Sequence, residues 1–438
     1  MLSAAAWAVQ IRASAMQRRW SELDRFSLAS PELARQELAR RLLDQIRCFG
    51  SRSDALPEWK TAAMIRDPEE LWQQWTSLPI IGRQDLQDRF RPDDMAARFR
   101  LHGIASSTGG STGEPTPFFH DDGMRRAVRS LTTYCWLKFG WRPGLPTAAV
   151  WGSERDIGKS RSWKGRITSL VANIHLLGGF EMAARTVDEV LAFVRRHEEV
   201  AIYGFTSMLE FIARETLARS DLPQPGRVRG AWNAAEMLFQ SQSDLFRQAF
   251  GVPINNFYGS RDLGAMAYQP PSEAGLRVLR PTLFLEILDD DGKPAEPGQT
   301  GRLLWTSTVC RGTPFLRYEN GDVGSFDESC RDESGIHTIR ELQKRNAGLF
   351  RLPDGKTVSA NYWNHLLKDY QEVRQFQVVL RKDSSIQLRL KGTPFSPERE
   401  AGLRTALSNL LGLLPVEIAW VESIPLTRDG KLIQVNNE

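Results

Sequence analysis

The stretch Ser106-Ser107-Thr108-Gly109-Gly110-Ser111-Thr112-Gly113-Glu114-Pro115-Thr116 decides how this chain reads. Its eleven residues hold three glycines, and five serine or threonine hydroxyls precede Glu114. Glycines let a backbone turn tightly and bring its N–H groups up to an anion, and hydroxyls add donors to phosphate oxygens. The Gly-Lys-Ser/Thr ending of a Walker loop is missing, as is the G-x-G-x-x-G spacing of a dinucleotide fingerprint. A flexible Ser/Gly surface loop would share this composition. The aromatic pair Phe118-Phe119, which follows at once, argues instead for a place inside a globular region.

Working outward, 438 residues suggest two or three domains at roughly 150 residues each. Hydrophobic residues make up 41% and charged ones 25%, which excludes disorder, collagen-like repeats and a small disulfide scaffold. Basic residues outnumber acidic ones by 57 to 53, and a net +4 is too thin to make nucleic acid the expected partner. Cys48, Cys135, Cys310 and Cys330 show no C-x-x-C spacing and the six histidines are dispersed, so reduced thiols and no zinc site are expected. The apolar start, Met1–Ile11, lacks the basic n-region and long h-region of a secretory signal. No apolar run reaches the roughly 18 residues of a membrane span, and a cytoplasmic protein is the expectation.

The first hundred residues read as helical. Residues 31–43 place Leu33, Leu38, Leu42 and Leu43 near one face, with Ser30 as N-cap before Pro31. Further helices are expected over 67–75 and 83–90. From residue 146 onward, strands at 147–151 and 200–203 alternate with helices at 187–196 and 207–218, an α/β pattern with a parallel or mixed sheet. Beyond 275 come shorter strands at 283–288, 301–307 and 336–339, separated by turns at Asp289–Gly292 and Glu296–Gly298. The last hundred residues offer strands at 375–380 and 385–390, a helix at 397–411 and a strand at 416–420. A boundary is expected near Lys344.

Four further stretches carry chemistry. Ala234-Ala235-Glu236 precedes a helix, and Asn255-Asn-Phe-Tyr258-Gly259-Ser260-Arg-Asp262-Leu-Gly264 follows about twenty residues later. A planar aromatic and a carboxylate for a hard cation suit nucleotide chemistry, though Tyr258 alone reads as a core tyrosine and Asp262 as a helix-terminal charge. In Arg317-Tyr-Glu-Asn-Gly-Asp322-Val-Gly324 the aspartate is a two-oxygen acceptor, or part of an Asn-Gly-Asp hairpin turn. Near the end, Ile424-Pro-Leu-Thr-Arg-Asp-Gly-Lys431-Leu-Ile433 sets a lysine after an Asp-Gly turn.

Thr108–Thr116 resembles the phosphate-binding loop of the adenylate-forming superfamily, which contains acyl-CoA synthetases and nonribosomal-peptide adenylation domains. More narrowly it is similar to the branch of phenylacetate–CoA ligases and CapK-like proteins. The other stretches resemble that family's Tyr-Gly-x-x-Glu, Arg-Tyr-x-x-Gly-Asp, hinge and Pro-x-Thr-x-x-Gly-Lys motifs, in order from about residue 75 to 433. The resemblance implies nucleotide binding by Thr108, Gly109, Gly110, Ser111, Thr112, Gly113, Ala235, Glu236, Tyr258, Gly259, Ser260, Asp322 and Arg345. Within that set Tyr258 packs on adenine, Ser260 lies near the phosphates and Asp322 accepts from the ribose hydroxyls. Asp262 helps hold magnesium, and Lys431 stands between the carboxylate and the α-phosphate, where a cation offsets charge. Thr112, Asp262 and Lys431 are the implied catalytic residues.

Three positions depart from the family. Asp262 replaces glutamate, one methylene shorter. Glu114 replaces a lysine, leaving the loop to lean on its N–H groups and on Arg125 or Arg126. In Gln343-Lys-Arg345-Asn-Ala347-Gly348-Leu349 the hinge aspartate is missing, although Gly348 is a permissive hinge.

The expected fold is α/β. A large N-terminal domain over 1–343 combines mixed sheets flanked by helices with a β-rich subdomain, and a small α+β C-terminal lid over 344–438 carries Lys431. The expected activity is ATP- and Mg2+-dependent conversion of a small-molecule carboxylic acid to an acyl-adenylate with release of pyrophosphate. Transfer to a thiol follows, on coenzyme A as co-substrate or on a carrier protein. Two alternatives stand beside it: an amide-forming ligase with an amine or amino-sugar acceptor, and a degenerate nucleotide-binding protein without ligase activity. By analogy of position the acyl pocket lies among Val171–Phe180, Gly204–Met208 and Tyr258–Ala267. Asn173, His175 and Trp232 are candidates to line it, or structural residues.

Overall fold

The computed structural model describes residues 16–92, 99–108, 116–150, 173–177, 184–236, 238, 240–271, 273–343, 349–351, 357–359, 363, 366–367, 370, 372–381, 383, 385–411, 414–424 and 435–437. It has the mixed α/β architecture expected, with several sheets flanked by helices. Two compact units emerge. One comprises Met1–Thr108, Thr116–Arg142 and Asn255–Arg345; the other comprises Gly109–Pro115, Pro143–Ile254 and Asn346–Glu438.

In the first unit the helix Pro31–Gly50 begins where the sequence signals it. Ser30 accepts a hydrogen bond from the Leu33 amide, Pro31 needs no donor partner in the first turn, and Glu32 faces the positive end of the dipole. Leu38, Leu42 and Leu43 are buried, but Leu33 is 60% exposed. The buried stripe starts instead at Ala34, because 34, 38 and 42 fall four apart and 33 lies about 100° around the helix from 34. Asp67 caps the helix Pro68–Gln74 through the Glu69 amide, and a 3-10 turn at Trp75–Ser77 ends the segment.

The helix Asp122–Lys138, which the sequence reading did not single out, is capped by Asp121, whose Oδ1 accepts from Gly123 N at 2.8 Å and Met124 N at 3.2 Å. Two antiparallel sheets share the core of this unit. One orders the strands Thr338–Ile339, Leu276–Val278, Gly264–Tyr268 and Phe257–Ser260; the other orders Leu283–Leu288, Gly301–Ser307, Tyr318–Ser325 and Glu341–Gln343. The expected strand over 336–339 is therefore two: Gly335–Ile336 pairs with Arg331–Asp332, and Thr338–Ile339 pairs with Leu276–Val278.

In the second unit the strands Ile174–Leu176, Thr147–Val150, Val200–Phe205 and Val228–Ala234 run parallel in that order. Val200–Phe205 is apolar nearly throughout, as suits a strand covered on both faces by the helices Ala184–Arg196 and Thr206–Ala218 and their neighbours. The same unit holds a second hydrophobic cluster around Trp363, Phe376, Leu388 and Leu403, separate from the first. There the antiparallel pair Val373–Leu380 and Ile386–Gly392 extends by parallel pairing to Val435–Asn437 and Val416–Trp420, with the helix Pro397–Leu411 packed on it. All four cysteines are free thiols. Among the described residues no helix is long and apolar enough to cross a membrane.

Candidate active site

The residues on either side of the glycine-rich stretch form a hairpin. Strand Gly103–Ser107 pairs with Pro117–Asp121, ending at Ser107 opposite Pro117. Beyond that pair the neck is closed twice: Thr108 N donates to Thr116 O at 2.9 Å, and Thr116 N donates to the Thr108 hydroxyl at 3.1 Å. Two threonines thus gather the ends of the loop. Gly109, Gly110, Ser111, Thr112 and Gly113 lie outside the described residues, as do Arg345 and Lys431.

The hairpin is tied to the segment carrying Tyr258 and Asp262. His120 Nε2–H donates to Asp262 O at 2.5 Å, and Arg261 Nη1 reaches Ser107 O at 3.5 Å. Burial is the leading effect on His120 and pushes its pKa below the usual value.

The Tyr258 and Asp322 segments are joined crosswise. Tyr258 Oη donates to Asp322 Oδ2 at 2.6 Å, and Tyr318 Oη donates to Asp262 Oδ2 at 2.9 Å. Asn320 completes the first pair, its Nδ2 standing 2.9 Å from both Tyr258 Oη and Asp322 Oδ2. Ser260 completes the second by donating its hydroxyl to Asp262 Oδ1, which also accepts from Leu263 N at 3.0 Å. Burial, followed by the neighbouring aspartate, pushes the pKa of each tyrosine well up, so both hydroxyls stay protonated donors.

Asn320-Gly321-Asp322 is not the tip of a hairpin but an irregularity inside the strand Tyr318–Ser325. The partner strand advances from Arg302 to Leu304 while this strand runs from Val323 back to Glu319. Gly321 at φ +92° makes the excursion possible, since a side chain there would be strained. The strand irregularity is what turns Asp322 toward Tyr258.

Beneath this network Arg317 is 2% exposed and forms an ion pair with Glu286, with Nε at 3.1 and 3.2 Å from the two carboxylate oxygens. Its Nη1 also donates to Thr76 O at 2.8 Å and Leu78 O at 2.5 Å. Burial holds the Glu286 carboxyl above the usual range even with Arg317 beside it. The pair pins the start of the strand that carries Tyr318, Asn320 and Asp322.

Asp262 is 3% exposed and both its oxygens already accept from protein donors. That arrangement does not fit direct coordination of magnesium, which keeps several waters and demands octahedral room. Among the described residues no group of three or more His, Cys, Asp or Glu side chains is placed to hold a metal. The short aspartate, one methylene less than glutamate, suits the inward hydrogen bonds instead. Arg125, offered as support for the loop, donates to Asp122 at 2.8 Å.

In the second unit, Ala235 and Glu236 form a tight turn just past Val228–Ala234. Ala235 takes φ +63°, Glu236 N donates to Ala234 O at 2.8 Å, and Asn233 Nδ2 donates to Glu236 O at 2.8 Å. Asn173 donates through Nδ2 to Gly144 O at 2.8 Å, and its Oδ1 lies 2.9 Å from His175 Nε2 at an exposed strand. Trp232 is buried and stacks on Tyr203 with ring centroids 5.4 Å apart. Each of these three carries a structural contact of its own.

Sequence reasoning passed over Tyr318, Asn320, His120 and the Arg317–Glu286 pair as working parts. Tyr318, Asn320 and Arg317 stand inside the quoted motif; His120 and Glu286 carry no local signal.

The chain matches no family model. YtcI, an uncharacterized acyl–CoA ligase of Bacillus subtilis (strain 168), is 23% identical over 392 residues, 83% of this chain and 69% of that protein. The phenylacetate–coenzyme A ligase of Thermus thermophilus is 21% identical over 258 residues, 56% of this chain and 55% of that protein. The chain therefore spans little more than half the length of this second relative. A solved structure of 2-hydroxyisobutyryl-CoA ligase, in complex with 2-HIB-AMP and CoA, aligns over 94% of this chain and 91% of that one, at TM-score 0.59 and 16% identity. The same ligase in its postadenylation state aligns at TM-score 0.53 over 92% and 89%. The fold is that of adenylate-forming ligases. The relatives by sequence are acyl–CoA ligases, phenylacetate–CoA ligase among them, and they bear out the resemblance read from the motifs.

Proposed function

We propose that this chain is an acid–thiol ligase that converts a carboxylic acid to its acyl-adenylate and then to a thioester. A substrate carboxylate attacks the α-phosphorus of ATP, pyrophosphate leaves, and a thiol then displaces AMP from the adenylate. Positioning and charge neutralisation carry the first step. The crossed Tyr258–Asp322 and Tyr318–Asp262 pairs are the observation that carries this reading, because they hold the ribose-binding aspartate at a fixed place. The hairpin bearing the glycine-rich loop is fastened to the same segment through His120.

In this reading Thr108–Gly113 cradle the phosphates, with Thr112 donating to them, Ser260 stands nearby, and Ala235 and Glu236 take the adenine. Tyr258, at 2% exposure a core ring with no face open to adenine, holds Asp322 for the ribose instead. Residues 344–438 act as the lid, a role supported by the separate hydrophobic cluster around Trp363 and Leu403. Lys431 enters from that lid to neutralise charge between carboxylate and α-phosphate, and Arg345 sits at the hinge. Asp262 acts as the anchor of Tyr318, and magnesium arrives with ATP as part of the substrate. Coenzyme A is the thiol favoured by the names of the sequence relatives.

The test is pyrophosphate release from ATP with a panel of aryl and short aliphatic acids, with and without coenzyme A, for the wild type and Lys431→Ala. The reading expects acid-dependent release, thioester with coenzyme A, and loss of adenylation with retained ATP binding in the variant. ATP binding without turnover of any acid overturns it in favour of a nucleotide-binding protein. Turnover that needs an amine in place of coenzyme A overturns the thiol assignment alone.

A further inference from the structure

Away from the proposed nucleotide site, the first unit holds a partly open cavity of about 330 Å³, within the range that holds one small organic molecule. Phe26, Leu28 and Ala34 form one wall, from the helix over 16–28 and the start of Pro31–Gly50; Tyr134 and Tyr268 form the other. Arg277, Arg280, Asp332, Ser334 and His337 give the polar part of the lining, and Arg280 is its unusual member. It is 7% exposed, and its Nη2 donates to Ser334 O at 3.1 Å and to the Ser334 hydroxyl. Its Nε is sealed in the protein with no acceptor, and Nη1, which is not sealed, makes none of the hydrogen bonds of this side chain.

The charge is weakly answered. Asp332 stands 3.9 Å from Nη2, and its Oδ1 already accepts from Ser334 N at 2.8 Å and from the Ser334 hydroxyl. The Phe26 ring lies 5.2 Å from Cζ and offers only its π-face. The other arginine of the lining, Arg277, is paired with Glu273. A buried guanidinium with donors left over is costly unless an anion completes it. Burial accordingly lowers the pKa of Arg280 from its ordinary value. Leu28, 84% exposed, marks an apolar rim.

We propose that this cavity is a second ligand site, for a small organic monocarboxylate with an apolar body. The carboxylate accepts from Arg280 Nη1, the donor that Ser334 leaves open, and the body lies against Phe26, Ala34 and the two tyrosine rings. One incompletely countered guanidinium matches a single negative charge, whereas a phosphate dianion would bring a second charge toward Asp332. The apolar wall distinguishes the site from a bare anion hole.

4-Fluorobenzoate, followed by 19F NMR, and 4-bromobenzoate, located by bromine anomalous scattering in crystals, are the probes. The wild type is expected to bind 4-fluorobenzoate saturably in solution, with the bromine peak in this cavity and the carboxylate on Arg280. Ala34→Phe, which fills the cavity, and Arg280→Met are each expected to weaken that binding by about tenfold or more, the worth of a charge-assisted hydrogen bond. Pyrophosphate release by Ala34→Phe stays at the wild-type level, which separates this site from the acid pocket of the ligase reading. Should either variant fail to fold, the wild type alone decides, through the place of the bromine peak, which must be this cavity, together with uncharged 4-fluorobenzamide and inorganic phosphate. Weak binding of the benzamide and no competition by phosphate support the site. Equal binding of the benzamide, competition by phosphate at similar concentration, unchanged binding in both variants, or a bromine peak without binding in solution each overturns it.

Discussion

Tyr258 donates to Asp322 at 2.6 Å while Tyr318, four residues before Asp322, donates to Asp262, four residues after Tyr258. Each segment therefore supplies the donor that holds the other's carboxylate. Asn320 holds Asp322, and Ser260 and Leu263 hold Asp262, from within their own segments, so each aspartate is fixed from both sides. A shift of one strand against the other would break both crossed bonds together. A site built on strands in this way is fixed more tightly than one built on loops alone.

Removing one arm tests that reasoning. Tyr258→Phe keeps the buried ring and deletes the donor to Asp322, leaving Asn320 as its remaining side-chain partner among those above. A hydrogen bond to a charged group contributes about 1.5–3 kcal/mol. The KM for ATP is expected to rise by about tenfold with a smaller change in melting temperature, measured by pyrophosphate release and thermal unfolding. An unchanged KM would separate Asp322 from ribose binding.

The other arm bears on the shortened acidic residue. Asp262 is 3% exposed with both oxygens in use, so Asp262→Glu forces an extra methylene into a filled space. Overpacking of this kind costs about 1–3 kcal/mol. The glutamate variant is expected to unfold at lower urea than the wild type and to gain no activity, despite restoring the residue that the family resemblance implies. Higher turnover in the variant at every magnesium concentration would return Asp262 to the role of metal ligand.

What the sequence disclosed, and what it hid, follows from the range of each interaction. Ser30 and Asp67 were legible as caps because a cap, a proline and an acidic first turn lie within a few residues of one another. The helix Asp122–Lys138 was not, although Met124, Ala127, Leu131, Tyr134 and Cys135 keep helical spacing, because Arg125, Arg126, Arg129, Thr132 and Thr133 dilute the apolar signal. Asp262 and Asp322 were legible as residue types within motifs. Their partners were not, because Tyr258 and Asp322 are 64 positions apart and Tyr318 and Asp262 are 56 apart, and long-range pairing leaves no local period. The inward turn of Asp262 was hidden for the same reason.

Arg317 and Glu286 give a prediction about stability rather than chemistry. Arg317 is buried and the Glu286 side chain is 10% exposed, and the arginine also holds Thr76 and Leu78 through their carbonyls. Truncating one partner strands the other, which costs about 3–5 kcal/mol, whereas replacing both by apolar residues recovers much of that loss. Arg317→Met is expected to lower the urea midpoint steeply, and Arg317→Met with Glu286→Leu to sit between it and the wild type. A double variant less stable than either single variant would show that the pair contributes more than the relief of a stranded charge.

His120 sets a pH dependence whose direction is fixed by its burial. The folded protein holds this imidazole below the ordinary histidine value near 6.5, with burial the leading cause, while Asp262 and Asp121 pull it back in part. Below about pH 6.5 the unfolded chain takes up a proton that the folded chain does not, so this group's contribution falls as pH falls toward the folded pKa. Above about pH 7 both states are neutral at this position and the contribution is level. Urea unfolding at about pH 7.5 and about pH 5.5 measures the difference, and His120→Gln, which keeps an N–H donor for Asp262 O, removes the titration. The wild type is expected to lose more stability than the variant over that interval. Because His175 and His337 are also lowered and remain in both proteins, the gap between the two slopes belongs to His120. Equal losses in the two proteins would mean that the His120 imidazole titrates alike in the folded and unfolded chain, and the tie it makes to the Asp262 carbonyl would then not depend on its neutrality.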